Sequence, residues 1–267
     1  MTYHRAADKA DALRLISEYP EFLLMCGSTD MAAILKKKHT VKGIIDLGRL
    51  RELAYIETDS QAVHIGALTT ISDLLESEEL QRHLPLLGAA SEQFASRQVR
   101  NLATLGGNIA NASPAADLTA VLMALDATVT LGSVQGERTM VLEDLFCGYK
   151  CTKLDHEMIL CIHIPLHKHQ WYYRKTGARE RLNISKVSLA AVKKSDRYAF
   201  SGASLAPSAV RFRHLETLVN SGHFSDEQIR EALEKDLSPS GSFRSTKEYR
   251  MRVVFNMVKE VLAKFEA

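Results

Sequence analysis

The sequence predicts a protein that mixes β-strands with α-helices and contains more than one structural unit. Its 267 residues, 46% hydrophobic and 25% charged, have ordinary globular composition and supply enough apolar side chains for a large core. Short apolar runs typical of strands are interleaved with helical periodicity from the start of the chain. The pattern changes after Pro165, which we interpret as a domain boundary.

The first part of the chain predicts the order helix, strand, helix, strand. The first helix stops at Pro20, because proline cannot continue a helix. Residues 22–26 form a short apolar run that predicts a buried strand, and the turn Gly27–Asp30 can cap the helix that follows it. The predicted elements cover residues 11–19, 22–26, 31–37 and 43–47.

The remaining chain predicts an antiparallel strand pair, two helices, two further strands, a second strand pair over the turn 195–197, and then helices. Ser225 and Gln228 form a capping box at the start of one helix. The last helix has an apolar stripe of the kind that packs on a core, formed by Val254, Val258, Val261, Leu262 and Phe265. The predicted strands are 54–57, 63–67, 128–131, 158–164, 188–193 and 199–205, and the main helices 84–95, 118–125 and 246–265.

Charge and hydropathy exclude several classes of protein. Lys and Arg number 34 against 32 Asp and Glu, and no basic stripe is visible, so we expect no nucleic-acid partner. No apolar run approaches the roughly 18 residues that span a bilayer, and the N-terminus lacks the features of a signal peptide. We therefore expect no membrane association and a cytoplasmic protein.

The cysteines and histidines predict neither a disulfide framework nor a metal site. Four cysteines are few for a chain of this length, so we expect reduced thiols. Cys147 and Cys151 lie four residues apart without a second pair, which cannot supply four thiolates. We interpret His163, His167 and His169 as exposed or core histidines rather than ligands.

The segment from 103 to 117 is the strongest candidate for ligand binding. Adjacent glycines allow a ligand to approach the backbone closely and allow positive φ, and backbone N–H groups can then bind a pyrophosphate. Asp117 stands at a predicted helix start, where it could cap the helix or accept from a ligand hydroxyl. The alternative is a tight glycine turn with a helix cap. The segment concentrates small and polar residues, namely Thr104, Gly106, Gly107, Asn108, Ser113, Pro114 and Asp117.

The turn Gly27–Asp30 is a second, weaker candidate of the same type, about 75 residues upstream. Two polar glycine turns could hold the two phosphates of one dinucleotide. The alternative is a simple N-cap. Neither the G-x-G-x-x-G fingerprint nor the G-x-x-x-x-G-K-[ST] phosphate loop occurs, so a dinucleotide would have to bind by another arrangement.

The string SRQVRNLATLGGNIANASPAAD at 96–117 strongly resembles the FAD-binding medium subunit of molybdenum hydroxylases, a group that includes xanthine dehydrogenase, carbon monoxide dehydrogenase and aldehyde oxidoreductases. Similarity at 22–30, 145–149, 158–165 and 241–250 extends it along almost the whole chain. The resemblance implies an α+β fold of the vanillyl-alcohol oxidase (PCMH-like) type, with two FAD-binding subdomains at 1–58 and 59–166. A C-terminal domain at 167–267, with an antiparallel sheet and a helix bundle, would follow.

The resemblance also implies which residues hold FAD. The two glycine loops would wrap the pyrophosphate and the adenosine end, and Asp117 would bind a ribityl or ribose hydroxyl. Phe94 and Ile159 match positions that flank the flavin ring, and Lys175 matches a lysine near it. The family's first loop usually reads glycine-glycine, whereas this chain has Cys26-Gly27. The implied set is Leu24, Met25, Cys26, Gly27, Ser28, Thr29, Asp30, Met31, Phe94, Ala103, Thr104, Gly106, Gly107, Asn108, Ala110, Ser113, Asp117, Ile159 and Lys175.

Because the chain has no molybdopterin site and no iron–sulfur cysteine pattern, it would not oxidise a substrate alone. The resemblance implies an iron–sulfur small subunit and a molybdopterin large subunit as partners, with electrons passing through FAD to NAD or another acceptor. A xanthine dehydrogenase of purine metabolism is the expected complex. The alternatives are a carbon monoxide, aldehyde or N-heterocycle dehydrogenase, a cell-wall precursor reductase of related fold, and a scaffold subunit without FAD. Residues 179–185 lack the acidic pair that some members carry near the flavin.

Overall fold

The computed structural model describes residues 1–31, 35–36, 41–179, 184–195 and 197–266. These residues form sheets of three, five and four strands and a two-stranded hairpin, with helices between them, which confirms the expected α+β class. Three features of the sequence analysis fall partly outside the described residues. They are most of the helix expected at 31–37, the centre of the turn 195–197, and residues 180–183 of the segment without an acidic pair.

The N-terminal sheet is parallel, with the strand order β1-β3-β2. The central strand β3 forms where a strand is predicted, at 43–47, and is buried throughout. The predicted strand at 22–26 exists as β2, but the expectation that it is buried is wrong: Leu24 is 36% exposed, because β2 lies at the sheet edge and has one neighbour. The elements are β1 (Thr2–Arg5), α1 (Lys9–Glu18), β2 (Leu23–Met25) and β3 (Gly43–Asp46).

The second sheet is antiparallel, with the strand order β4-β5-β10-β6-β7. Its strands alternate between a large apolar core on one face and the N-terminal core or solvent on the other, as the period of two requires. The expected antiparallel pairing of β4 with β5 is confirmed. The strands are β4 (Ile56–Thr58), β5 (Ala62–Gly66), β6 (Thr128–Ser133), β7 (Gly136–Val141) and β10 (Met158–Pro165).

Six helices lie between β5 and β6 in the described chain, and one of them, α7, has all eight residues buried and packs against α4 and α6. The helix expected at 84–95 ends earlier, at Glu92, and Ala95 adopts a positive φ of 40°. Such a backbone conformation cannot continue a right-handed helix. The helices are α2 (Ile71–Glu76), α3 (Glu78–His83), α4 (Pro85–Glu92), α5 (Arg97–Arg100), α6 (Leu105–Ala110) and α7 (Asp117–Ala124).

A short hairpin, β8 (Phe146–Gly148) and β9 (Cys151–Thr152), lies between β7 and β10 in the chain and forms a separate two-stranded sheet. A disulfide joins Cys147 to Cys151 across its turn, so the expectation of reduced thiols is wrong for this pair. The hairpin brings the two sulfurs together, which a spacing of four residues does not by itself require. Cys26 and Cys161 are free.

The C-terminal domain is an antiparallel sheet of order β11-β12-β13-β14 with three helices, of which α10 packs on β12. The capping box of Ser225 and Gln228 is formed, and every residue of the predicted apolar stripe is buried. The elements are β11 (Gln170–Thr176), β12 (Val187–Lys194), β13 (Arg197–Ala203), β14 (Val210–Arg211), α8 (Arg213–Asn220), α9 (Asp226–Asp236) and α10 (Lys247–Glu266).

The division of the chain at residues 58 and 166 stays a prediction. Strand β4 ends at residue 58 but pairs with β5 of the second sheet. The two N-terminal units also share apolar contacts, since Met158 and Leu160 of β10 pack in the N-terminal core. Within the described residues, no helix is both long enough and apolar enough to cross a lipid bilayer.

Candidate functional site

The two glycine turns, far apart in sequence, are in direct contact in the structure. Cys26 Sγ and Thr104 Oγ1 lie 3.1 Å apart and form a hydrogen bond. Gly27 packs against the Leu102 carbonyl so closely that a Cβ atom there would collide with it. Asn111 Nδ2 donates to Asp30 Oδ2 at 2.5 Å. The turn that follows β2 and the turn that begins α6 therefore pack together as one unit.

The first turn presents a row of backbone donors. In the part of the chain that the structure describes, the N–H groups of Gly27, Ser28, Thr29 and Asp30 donate to no protein acceptor. Ser28 has a φ of 59°, which turns the chain sharply, and its hydroxyl donates to the Cys26 carbonyl at 3.2 Å. Successive N–H groups in such a turn form a concavity that binds anions. Such a row supplies the hydrogen-bond donors that a phosphate group requires.

The second turn is built differently from the expectation. Its N–H groups are already used, by the Thr69 carbonyl, the Ala67 carbonyl and Thr104 Oγ1, at 3.0, 2.8 and 3.1 Å. Gly106 and Gly107 are helical residues without positive φ, so the expectation that these glycines adopt positive φ is wrong. A Cβ at Gly106 would lie 2.7 Å from Ala67 atoms, so this glycine permits close packing of α6 on the second sheet.

Asp117 does not cap α7. The N-cap residue is Ala116, and no side chain makes a capping hydrogen bond at this helix start. The Asp117 carboxylate is buried instead and forms an ion pair with Lys175 Nζ at 2.7 Å, with only 5% and 6% of the two side chains exposed. Its other oxygen accepts from Ser185 and Ser188, each at 2.6 Å. The ion pair connects α7 to the C-terminal sheet. Three of the four lone-pair positions of the Asp117 carboxylate are therefore occupied, one by Lys175 and two by the serines.

A buried hydroxyl near this ion pair has no partner. Tyr173 Oη is inaccessible to solvent and makes no hydrogen bond within the described residues. Burial and the Asp117 charge raise the pKa of Tyr173 well above its usual value, so the phenol is neutral. A buried donor without an acceptor is costly, and a polar ligand would satisfy it.

The predicted site residues fall into two groups and one isolated position. Phe94 stands next to Gln93, whose carbonyl accepts from Lys175 Nζ at 3.2 Å, so it belongs with the ion pair. Ile159 is 6% exposed and lies in the large core. The remaining group lies on the two turns and on the adjoining strand β2 and helix α6, namely Leu24, Met25, Cys26, Gly27, Ser28, Thr29, Asp30, Met31, Ala103, Thr104, Gly106, Gly107, Asn108, Ala110 and Ser113.

The sequence analysis missed four polar residues at these positions. Asn111 links Asp30 to Lys150, whose Nζ donates to it at 3.3 Å, and it stands inside the singled-out segment 103–117. Ser185 and Ser188 bind Asp117 across about 70 residues of chain. No sequence signal identifies these serines, because their role depends on how β12 packs on α7.

Comparison with known proteins identifies the family of this chain. Residues 1–167 match the family described as FAD binding domain in molybdopterin dehydrogenase, and residues 172–265 match the CO dehydrogenase flavoprotein C-terminal domain. The chain is 32% identical to the xanthine dehydrogenase FAD-binding subunit of Escherichia coli O157:H7, over 98% of this chain and 94% of that protein. It is 30% identical to the glyceraldehyde dehydrogenase medium chain of Sulfolobus acidocaldarius, over 95% and 94%.

A solved structure of carbon monoxide dehydrogenase from Hydrogenophaga pseudoflava contains a chain of the same fold. It superposes with a TM-score of 0.89 at 27% identity, covering 97% of this chain and 95% of that chain. Both domain matches are to flavoproteins of molybdenum enzymes rather than to the cell-wall reductase class. The chain belongs to the family of FAD-binding medium subunits of molybdenum hydroxylases.

Proposed function

We propose that this chain holds one non-covalent FAD and relays electrons from the iron–sulfur clusters of a small subunit to NAD or another acceptor. The observation that carries the proposal is the row of four unused N–H groups in the first turn, held against Thr104 of the second. FAD supplies the redox chemistry, and the chain binds, orients and shields it.

The residues divide the work along an extended ligand. The N–H groups of Gly27–Asp30 donate to the pyrophosphate oxygens, and Thr104 and Cys26 keep the two turns in contact. Asp117, with one lone-pair position left, accepts from a ribityl or ribose hydroxyl. Lys175 and Phe94 lie at the flavin end, where the Tyr173 hydroxyl also needs a partner. Ile159, in the large core, would contact the flavin.

A role within a larger complex explains why the sequence has neither a molybdopterin site nor an iron–sulfur cysteine pattern. The proposed partners are an iron–sulfur small subunit and a molybdopterin large subunit, assembled in the cytoplasm, with no nucleic acid or membrane involved. Two similar proteins are named as a FAD-binding subunit and as a medium chain, which supports this division of labour. Xanthine is the proposed substrate of the large subunit, on the 32% identity to the xanthine dehydrogenase subunit. An aldehyde, carbon monoxide or an N-heterocycle is the alternative.

The cofactor is tested by its release. Purified protein should show flavin absorbance, and acid precipitation should release all of the flavin as FAD. Flavin that remains in the pellet would contradict non-covalent binding, and FMN in the supernatant would contradict a pyrophosphate site. A folded protein without flavin would favour the scaffold alternative.

The second turn is tested by Gly107→Val. A Cβ at Gly107 would lie 2.8 Å from Thr104 Oγ1 and 3.1 Å from Cys26 Sγ, so a branched side chain pushes the two turns apart. We expect loss of flavin with an unchanged circular dichroism spectrum. Gly88→Val is the matched control, because Gly88 is also helical and a Cβ there meets nothing within 4 Å. Normal flavin content in Gly107→Val would refute the assignment of the pyrophosphate to this position.

Electron transfer is tested in the reconstituted complex. The chain alone should not oxidise xanthine or aldehydes, whereas the three-subunit complex should reduce its flavin in a stopped-flow experiment. Xanthine, an aldehyde, carbon monoxide and an N-heterocycle are compared as reductants, and NAD and ferricyanide as acceptors. No flavin reduction by any reductant would refute the relay. Reduction by another substrate alone, or no NADH formation, would refute only the xanthine or the NAD assignment.

A further inference from the structure

Two histidines and a cysteine that the flavin site does not use converge on the second sheet. His64 of β5 and His163 of β10 are directly opposite each other in the antiparallel register. Their Nδ1 atoms lie 2.7 Å apart, and Cys161 Sγ lies 3.9 Å from His163 Nδ1. All three atoms fall within 4.8 Å of one another. In the described part of the chain, this is the one such group of His, Cys, Asp or Glu atoms.

A bulge in β10 directs Cys161 to this face. The register of β10 against β6 shifts between Ile159 and Cys161, so Leu160 is an inserted residue. Ile159 and Ile162 both pack in the large core, which places Cys161 and His163 on the opposite face of the sheet. Without the bulge, strict alternation from Ile159 would turn Cys161 towards the large core and Ile162 away from it.

We infer that His64, Cys161 and His163 bind one Zn²⁺ ion. Tetrahedral zinc, with bonds of about 2.0 Å to nitrogen and 2.3 Å to sulfur, needs ligand atoms roughly 3.3 to 3.6 Å apart. The two nitrogens, 2.7 Å apart, are closer than that spacing, and the sulfur, 3.9 Å from His163 Nδ1, is farther away, with all three atoms within 4.8 Å of one another. Side-chain rotations that move the ligand atoms by about 1 Å would bring them to the tetrahedral distances. His64 is 28% exposed, which gives an ion a path from solvent and leaves a fourth position for water.

The far nitrogens of both rings already have the partners that metal-bound histidines use. His64 Nε2 lies 3.0 Å from Asp59 Oδ2, and His163 Nε2 lies 2.7 Å from Thr130 Oγ1. A carboxylate or hydroxyl on the far nitrogen fixes the ring and the tautomer that leaves Nδ1 free for the metal. Asp59 is fixed in turn by the N–H groups of Gln61 and Ala62, at 2.7 and 2.8 Å.

The protons balance for this reaction. Without metal, Thr130 donates to His163, His163 Nδ1–H donates to His64, and His64 Nε2–H donates to Asp59. When Zn²⁺ binds, the His163 proton moves from Nδ1 to Nε2 and is donated to Thr130 Oγ1. The Thr130 hydroxyl then donates to Thr139 Oγ1, 3.1 Å away. The Cys161 thiol loses its proton to solvent, so one proton is released for each ion bound.

The test uses the full-length, flavin-loaded protein, stripped of metal with a chelator and titrated with Zn²⁺ or Co²⁺ alone. We expect one ion per chain and one proton released. With Co²⁺ we expect the long-wavelength ligand-field bands of a tetrahedral site, beyond the absorbance of oxidised flavin. Cys161→Ser and His64→Asn should each abolish stoichiometric binding. Asp59→Asn should weaken it about tenfold or more, because it removes only the support of a ligand.

Controls separate this site from other thiols and from misfolding. The Cys147→Ser/Cys151→Ser double variant should bind the ion like the wild type, and flavin content should be normal in every variant. Three results would overturn the inference. They are no stoichiometric binding by the wild type, which leaves a hydrogen-bonded histidine pair only; binding that survives both ligand variants; and binding lost in the double variant.

Discussion

Breaking the buried ion pair between Asp117 and Lys175 should strongly destabilise the junction of the domains. Only 5% and 6% of these side chains are exposed, and Asp117 also accepts from Ser185 and Ser188. Asp117→Asn keeps the shape and one oxygen for the serines but leaves a buried ammonium with the Gln93 carbonyl alone. Removing one partner of a buried pair costs about 3–5 kcal/mol.

We take the lower limit, about 3 kcal/mol, because the Gln93 carbonyl still accepts from the ammonium. For a domain of this size, each kcal/mol lowers Tm by roughly 2–4 °C, so Asp117→Asn should lose roughly 6–12 °C. Lys175→Met should lose a similar amount. Asp117→Asn/Lys175→Met should lose less than the sum, because neither variant side chain leaves a buried charge behind.

The assay is urea unfolding of the flavin-free protein, so that weaker flavin binding does not contribute to the difference. Circular dichroism follows the whole chain, and the fluorescence of Trp171, the single tryptophan, follows β11, which also carries Lys175. The coupling energy from the double-mutant cycle should be about 2 kcal/mol or more. Additive effects, or single-variant losses below about 1 kcal/mol, would refute the reasoning.

Two further predictions concern the first turn and the loop after α7. Gly27→Ala should cost roughly 2 kcal/mol and lower flavin affinity, because the added Cβ collides with the Leu102 carbonyl; wild-type Tm and flavin content would contradict this contact. Asp126 binds Lys194 and Arg211, each at 2.6 Å; burial opposes ionisation, but the two cations outweigh it and lower the pKa of Asp126. The stabilisation by the ionised Asp126 is therefore present above about pH 4 and is lost as the pH falls through the folded pKa. Asp126→Asn should cost about 1 kcal/mol at pH 7 and progressively less in acid, and asparagine is compatible with the positive φ of 59° at this position. A difference in urea midpoint that does not depend on pH would contradict the assignment.

Much of the fold is readable from local patterns, because the interactions that form an element lie within a few residues. The capping box of Ser225 and Gln228 is a contact across three residues, and the stripe of α10 follows from the helical period. The short apolar runs at β3 and β10 likewise predicted strands. The partial exposure of β2 was not predictable, because it results from the position of β2 at the sheet edge, which depends on the order of the strands.

The site divides in the same way. Sequence alone identified both turns and the family, because glycines and small polar residues in that order are a specific signature. Only the tertiary structure decided that Gly106 serves helix–sheet packing, that Asp117 pairs with Lys175, and that His64 meets His163. The last contact joins residues 99 apart and depends on the register of β5 against β10. Such pairings are set by the whole core, since a shift of one residue would turn every side chain to the other face.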